Sequence, residues 1–189
     1  MATAAKKRPA AAEGRQPRQQ GLSDTQRWSY GFALLAVALF ILVSVVSYFI
    51  YWSKDQAVAR FGQVFDATQD PVSNWGGKLG AVTANYIVGE WFGLFGICIP
   101  IVLIVLSLRI MRSRPMLLRK SRLMLVLMIL GSLTLGYIFG DAWGVFGTGL
   151  GGAHGIYVAR WLNSLIGILG TGLLLALAFV IYAVYINRN

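Results

Sequence analysis

Glu90 is the acidic side chain with the most potential for chemistry inside a membrane. It falls within a long apolar stretch, and an intramembrane carboxylate commonly serves as a proton site or as half of an ion pair. Tyr86 and Trp91 lie close to it in the sequence, and such rings favour the interface between lipid and water. We therefore expect Glu90 to have a capping or interfacial role, with ion coupling as the less favoured alternative.

Asp141 and His154 are the other pair that could do chemistry, and both lie in one glycine-rich link. A zinc site needs more ligands than these two, and Cys98 lies in a different apolar run. A hydrolase would need a nucleophile held by His154, and the spacing does not place Thr148 in that role. The sequence therefore predicts no catalytic and no metal-binding residue.

The same link contains a G-x-G-x-x-G match at residues 147–152. The dinucleotide fingerprint requires a preceding strand and an acidic residue about 20 positions later, but no acidic residue follows Asp141. The ATP-binding pattern G-x-x-x-x-G-K-[ST] does not occur in these 189 residues. We therefore predict that this chain holds no cofactor.

Four long apolar runs must position these side chains. The chain is 57% hydrophobic and 13% charged, and each run reaches roughly the 18 residues that cross a bilayer as a helix. These features predict an all-α integral membrane protein whose four transmembrane helices cover about 28–52, 80–108, 123–140 and 161–186. The second would exceed the bilayer thickness, so we expect it to tilt, or to bend near Gly89, Gly93, Gly96 or Pro100.

Basic residues predict the orientation of these helices. Six precede the first span and six lie in the short link between the second and third, whereas the two other links carry few or are diluted by aspartates. Short loops rich in Lys and Arg stay in the cytoplasm, so both termini and the middle link are predicted to be cytoplasmic. The twelve residues are Lys6, Lys7, Arg8, Arg15, Arg18, Arg27, Arg109, Arg112, Arg114, Arg119, Lys120 and Arg122. Because topology accounts for this charge, it does not indicate DNA binding.

The segments outside the spans differ in composition. Residues 1–24 lack large apolar side chains almost entirely, which predicts a disordered basic cytoplasmic tail before a membrane domain at 25–189. Phe61, Val64 and Phe65 have helical spacing in the first outer loop and predict a short interfacial helix. The glycines between Asp141 and Arg160 predict an irregular outer turn with tight backbone contacts.

Small residues four positions apart are the main candidates for helix packing. Gly89 and Gly93 form one pair, and Ser132, Gly136 and Gly140 form a series on the third span. Such faces let helix backbones approach closely in lipid. They could join copies of the chain or pack the helices of one protomer, and the sequence leaves both alternatives open.

Several short motifs occur in a characteristic order along the chain. Gly76-Gly77-Lys78-Leu79-Gly80-Ala81 precedes Trp91-Phe92-Gly93-Leu94-Phe95-Gly96 and the basic link. Gly151-Gly152-Ala153-His154-Gly155 then precedes Gly167-Ile168-Leu169-Gly170-Thr171-Gly172-Leu173-Leu174-Leu175. In this order the chain resembles the N-terminal membrane domain of the FtsK/SpoIIIE family of bacterial DNA translocases, over about residues 28–186.

The resemblance implies a bacterial inner-membrane anchor of a longer protein. In such a protein a linker and an ATP-driven DNA motor would follow Asn189, so ATP, Mg and DNA would be bound by that part and not by this chain. The resemblance also implies a homo-oligomer, expected to be a hexamer, and divisome membrane proteins as partners at the septum. The sequence thus predicts a membrane anchor and oligomerisation domain of a cell-division DNA translocase. A small transporter or channel subunit, or a membrane scaffold without a motor, is the alternative.

Overall fold

A computed structural model of the chain describes residues 23–55, 72–112 and 116–187. The apolar runs form helices because lipid offers no partner for backbone N–H and C=O groups. The elements in chain order are α1 Asp24–Asp55, α2 Gly77–Ala84, a π-helix Asn85–Phe92, a 3-10 helix Gly93–Ile97, α3 Cys98–Arg112, α4 Met116–Phe139, a 3-10 turn Ala142–Gly144 and α5 Gly152–Asn187.

The prediction of an all-α fold with four membrane-spanning helices is confirmed. Four helical segments are long and apolar enough to cross a bilayer, and the described residues contain no strand. The predicted tail, over residues 1–22, and the predicted interfacial helix around Phe61, Val64 and Phe65 lie outside the described ranges.

The helices begin before the predicted first, third and fourth spans, at Asp24, Met116 and Gly152. The first helix begins at Asp24, before Trp28, because Ser23 and Gln26 cap it reciprocally. The Ser23 N–H donates to Gln26 Oε1 at 3.0 Å and the Gln26 N–H donates to Ser23 Oγ at 3.3 Å, which satisfies exposed backbone donors. Hydropathy locates only the part of a helix that lies in lipid, whereas capped helices continue into the interface.

The second span is interrupted by a bend, which is one of the two alternatives that the sequence predicts for it. Gly93 has φ +59° and ψ −137°, outside the helical region, so the break lies there. Pro100 does not break the helix, because it is in the first turn of α3, where its missing N–H has no helical acceptor.

The fourth helical segment has two arms, joined at Gly167, whose φ of +76° and ψ of +167° are not helical. The second arm, residues 168–187, runs antiparallel to α4. Its Ile168 carbonyl accepts the Tyr137 hydroxyl at 3.1 Å, and its Tyr182 hydroxyl donates to the Leu123 carbonyl at 3.2 Å. The first arm, residues 152–166, instead packs against the last turns of α4, where Ala159 joins Leu133 in a small apolar cluster.

The bundle therefore has two distinct ends. The start of α1 meets the last turns of α3 where the Ser107 hydroxyl donates to the Gly31 carbonyl at 2.8 Å. The start of α4 and the end of α5 lie at the same end, which we call the basic end for its arginines and lysines. The opposite end, the loop end, holds the main buried core, formed by Val45, Tyr48, Ala84, Ile87, Val88 and Phe146.

Candidate functional site

The interruption of the second span depends on a glycine. A Cβ built on Gly93 would lie 2.0 Å from the Leu150 carbonyl oxygen, so a larger residue would meet backbone there. The positive φ of Gly93 is itself a conformation that other L-residues rarely adopt. The break frees backbone groups, and the Leu94 N–H donates to the Leu150 carbonyl at 2.9 Å. The backbone groups freed at the break thus find a hydrogen-bond partner within the protein. Such a partner is required because lipid offers none.

The segment that supplies this carbonyl is the glycine loop, residues 140–152. It folds through successive positive φ angles, five of them at glycines and two at Trp143 and Phe146. Its own backbone closes the turns, with N–H to carbonyl distances of 3.0 Å from Gly147 to Gly144 and 2.7 Å from Gly149 to Val145. Residues 141–151 have the irregular backbone that was predicted from Asp141 to Arg160, whereas the residues from Gly152 onward form α5.

Phe146 anchors the glycine loop in the core. Its side chain is 6% exposed, and its ring lies 5.4 Å from that of Phe49 and about as close to those of Tyr48 and Trp52, all on α1. The left-handed backbone at Phe146, φ +58°, costs roughly 1–2 kcal/mol. Burial of a phenylalanine contributes about 1.5–3 kcal/mol, so the aromatic contacts offset the strain.

The end of the glycine loop lies against α4. The Ser132 hydroxyl donates to the Gly151 carbonyl at 2.7 Å and is 3.0 Å from His154 Nδ1. A Cβ on Gly136 would lie 2.2 Å from the carbonyl carbon of Gly155, so the two backbones touch. Ser132 precedes the last residue of α4 by two helical turns, roughly 10 Å. The loop therefore dips into the bundle.

Four of the five small residues predicted as packing sites come together here. Gly89, Gly93, Ser132 and Gly136 are buried, and the glycine loop or the first arm of α5 covers each of them. Gly140 differs: a Cβ there would meet nothing within 4 Å among the described residues, and its φ is +55°. All four buried residues thus pack against other parts of the same protomer.

The polar side chains of this region form hydrogen bonds, mainly to backbone groups. Thr148 donates its hydroxyl to the Gly89 carbonyl. Because the single proton of Ser132 is directed to Gly151, the 3.0 Å contact makes His154 Nδ1 the donor to Ser132. That tautomer cannot accept the serine proton, so the buried Ser132 and the half-buried His154 are arranged as a structural link and not as a nucleophile with its base. Asp141 pairs instead with Arg160 at 3.0 Å on the surface.

Glu90 lies on the exposed side of the π-helix, between buried Gly89 and half-exposed Trp91. No ion pair joins it to another residue of the described ranges. Glu90 is therefore an exposed side chain and not a buried carboxylate of the bundle interior, where a conduction path would lie.

Several residues that build the site had no signal in the sequence. Phe146 lies in a glycine-rich stretch that also contains Trp143, and nothing in that pattern shows which of the two rings is buried. The Tyr48 hydroxyl donates to Asn85 Oδ1 at 2.7 Å, across 37 positions. Gly151 and Gly155 have the four-residue spacing of a packing pair, and that signal could have identified them.

The chain matches one known family across almost its whole described length. A family model of the 4TM region of DNA translocase FtsK/SpoIIIE matches residues 25–188, which includes all four spans and the glycine loop. No curated protein and no solved structure gives a significant match. The chain therefore belongs to the family of the 4TM region of the FtsK/SpoIIIE DNA translocases.

Proposed function

We propose that this domain anchors a DNA translocase in the bacterial inner membrane, assembles it into an oligomer and positions its cytoplasmic motor at the division septum. The family match over residues 25–188 carries the proposal. In the resulting whole protein, the motor binds ATP, Mg and DNA. The membrane domain determines where the motor is located and how many copies assemble for chromosome segregation.

The orientation follows from charge. Arg109 and Arg112 in the last turn of α3 and the basic residues at the start of α4 lie at the basic end, which the positive-inside rule assigns to the cytoplasm. A motor attached after the fourth span would then emerge on the side that contains the chromosome.

The exposed face of the second arm of α5 is the proposed oligomer contact. Leu169, Leu173, Ala176 and Val180 are spaced three or four residues apart, so they share one face of the helix. Leu169 is 84% exposed and Leu173 is 73% exposed, and α5 is the least buried of the four spans. In a ring this face would meet a different surface of the next copy.

Photocrosslinking from this face tests the assembly. A photoreactive residue in place of Leu173 should yield a ladder of crosslinked copies, up to six, in membranes. The matched control replaces Ile181, which is exposed on the side of the same arm that lies beside α4, and should yield little. Equal ladders from both positions, or none from either, would contradict the proposed interface.

Imaging tests the septal role separately. A fluorescent fusion of the chain should concentrate at the septum of dividing bacteria, and a fusion that ends before α5 provides a control with three spans. Uniform membrane fluorescence of the complete chain would exclude septal positioning by this domain and leave anchoring alone.

A further inference from the structure

A groove runs between α4 and the second arm of α5 at the basic end. It has a volume of about 510 Å³, within the range of sites that hold small ligands. Its walls are aliphatic along Val126, Leu130, Ala178 and Ile181, and Tyr182 and Arg122 also line it. The groove is thus apolar along its length and has a cation near the start of α4.

The dimensions of the groove match one lipid chain. From Arg122 to Leu130 the α4 backbone rises eight residues, roughly 12 Å. One leaflet contributes about half of the 30 Å hydrocarbon core, so an acyl chain in the groove would remain beside protein for most of its depth. The Tyr182 hydroxyl donates to the Leu123 carbonyl and needs no bond from such a ligand.

The charge at the mouth of the groove favours an anion. The Arg122 side chain is exposed and makes no ion pair with any acidic residue of the described ranges. Lys120 is also exposed close by. Arg119, the remaining cation of this turn, donates to the Tyr185 carbonyl at 3.3 Å and lies over the Tyr185 ring. A phosphate would offset the mutual repulsion of these charges.

A second copy of the chain is a poorer occupant than a lipid. At the basic end the described residues offer one carboxylate, Asp24, and it lies 3.8 Å from Arg27 of its own helix. Asp55 and Asp141 lie at the loop end, and Glu90 lies in the π-helix that packs there. A copy in the same orientation would therefore bring mainly cations to Arg122.

We propose that this groove binds an anionic phospholipid of the adjoining leaflet, with one acyl chain between α4 and α5 and the phosphate on the Arg122 guanidinium. Basic pockets between membrane helices bind anionic lipid headgroups in this manner. The site is independent of the oligomer contact, because Leu169 and Leu173 lie on another face of α5.

Native mass spectrometry of the full chain tests the site. The protein is released from nanodiscs containing equal amounts of phosphatidylglycerol and phosphatidylcholine, and the retained lipid is identified. The wild-type chain should retain one phosphatidylglycerol in preference to phosphatidylcholine. Arg122→Gln should reduce that preference about fivefold, the effect of roughly 1 kcal/mol from one basic side chain at an anionic surface.

Matched variants separate a site from a charged surface. Arg112→Gln removes the same charge from an exposed position outside the groove and should change the preference less than twofold. Ala178→Phe and, independently, Val126→Phe fill the groove and should reduce retention of both lipids, with unchanged circular dichroism for at least one of them. Equal loss from Arg112→Gln and Arg122→Gln, no preference in the wild type, or full retention in a folded groove-filling variant would overturn the proposal.

Discussion

The two ends of the bundle differ in how much of their surface is covered by other parts of the protein. At the loop end, glycine backbones of the second span, α4 and the glycine loop touch one another, and Phe146 packs against α1 and the second span. At the basic end the elements are regular helices, and one cation, Arg122, lines an open groove. One end is closed by protein, whereas the other leaves its surface to lipid and ions.

This difference makes the loop end the more rigid part of the bundle and the basic end the part that accepts substitutions more readily. Non-helical backbone requires partners throughout, so the loop end tolerates few replacements. Regular helices satisfy their own backbone, so side chains at the basic end can change at small cost. Substitutions at the loop end should therefore affect stability, whereas those at the basic end should affect what the protein binds.

The largest expected effect is that of Gly93→Ala. The new Cβ would meet the Leu150 carbonyl, and the left-handed backbone adds strain, so we expect a loss of at least about 3 kcal/mol in the free energy of unfolding. Unfolding in mixed micelles of increasing SDS content measures it. Gly144→Ala is the control: its φ is +56°, but no atom of the described residues lies within 4 Å of the added Cβ, so a loss of about 1–2 kcal/mol is expected. Equal losses would mean that the close contact contributes nothing.

Phe146→Ala should have the next largest effect. Removal of this buried ring from among Tyr48, Phe49 and Trp52 should cost about 3–5 kcal/mol in the same measurement, partly because a cavity remains. Trp143→Ala is a matched control, since Trp143 has nearly the same φ, +62°, but is 76% exposed. We expect less than about 0.5 kcal/mol from it. Similar costs for both rings would contradict the anchoring role of Phe146.

The smallest effect is expected at the basic end, from Arg119→Ala. This change removes the contact of the guanidinium with the Tyr185 ring and its hydrogen bond to the Tyr185 carbonyl, both exposed to solvent or lipid headgroups. The free energy of unfolding should fall by about 0.5–1 kcal/mol. Lys120→Ala, next to it and exposed, should change it by less than about 0.5 kcal/mol. A loss from Arg119→Ala as large as that from Phe146→Ala would abolish the contrast between the ends.

Sequence patterns identified some of the residues that form the site and missed others. The spacing of Gly89, Gly93, Ser132 and Gly136 identified residues that do pack closely, because the small-residue pattern reports close backbone approach in lipid. It did not identify their partners, since Gly151 lies in the glycine loop and Gly155 in the first turn of α5. Gly140 fits the same spacing, yet it follows α4 in an open turn, where no helix of the described ranges approaches it.

Hydropathy revealed the four spans and the helical class, and charge predicts the orientation, because these depend on the transfer of each segment between water and lipid and require no knowledge of its neighbours. The arms of α5, the path of the glycine loop and the burial of Phe146 were decided by the folded chain. They arise from contacts between residues far apart in sequence, such as Leu94 with Leu150 and Tyr48 with Asn85. No local pattern encodes such contacts, since each becomes favourable only when the other helices are already in place.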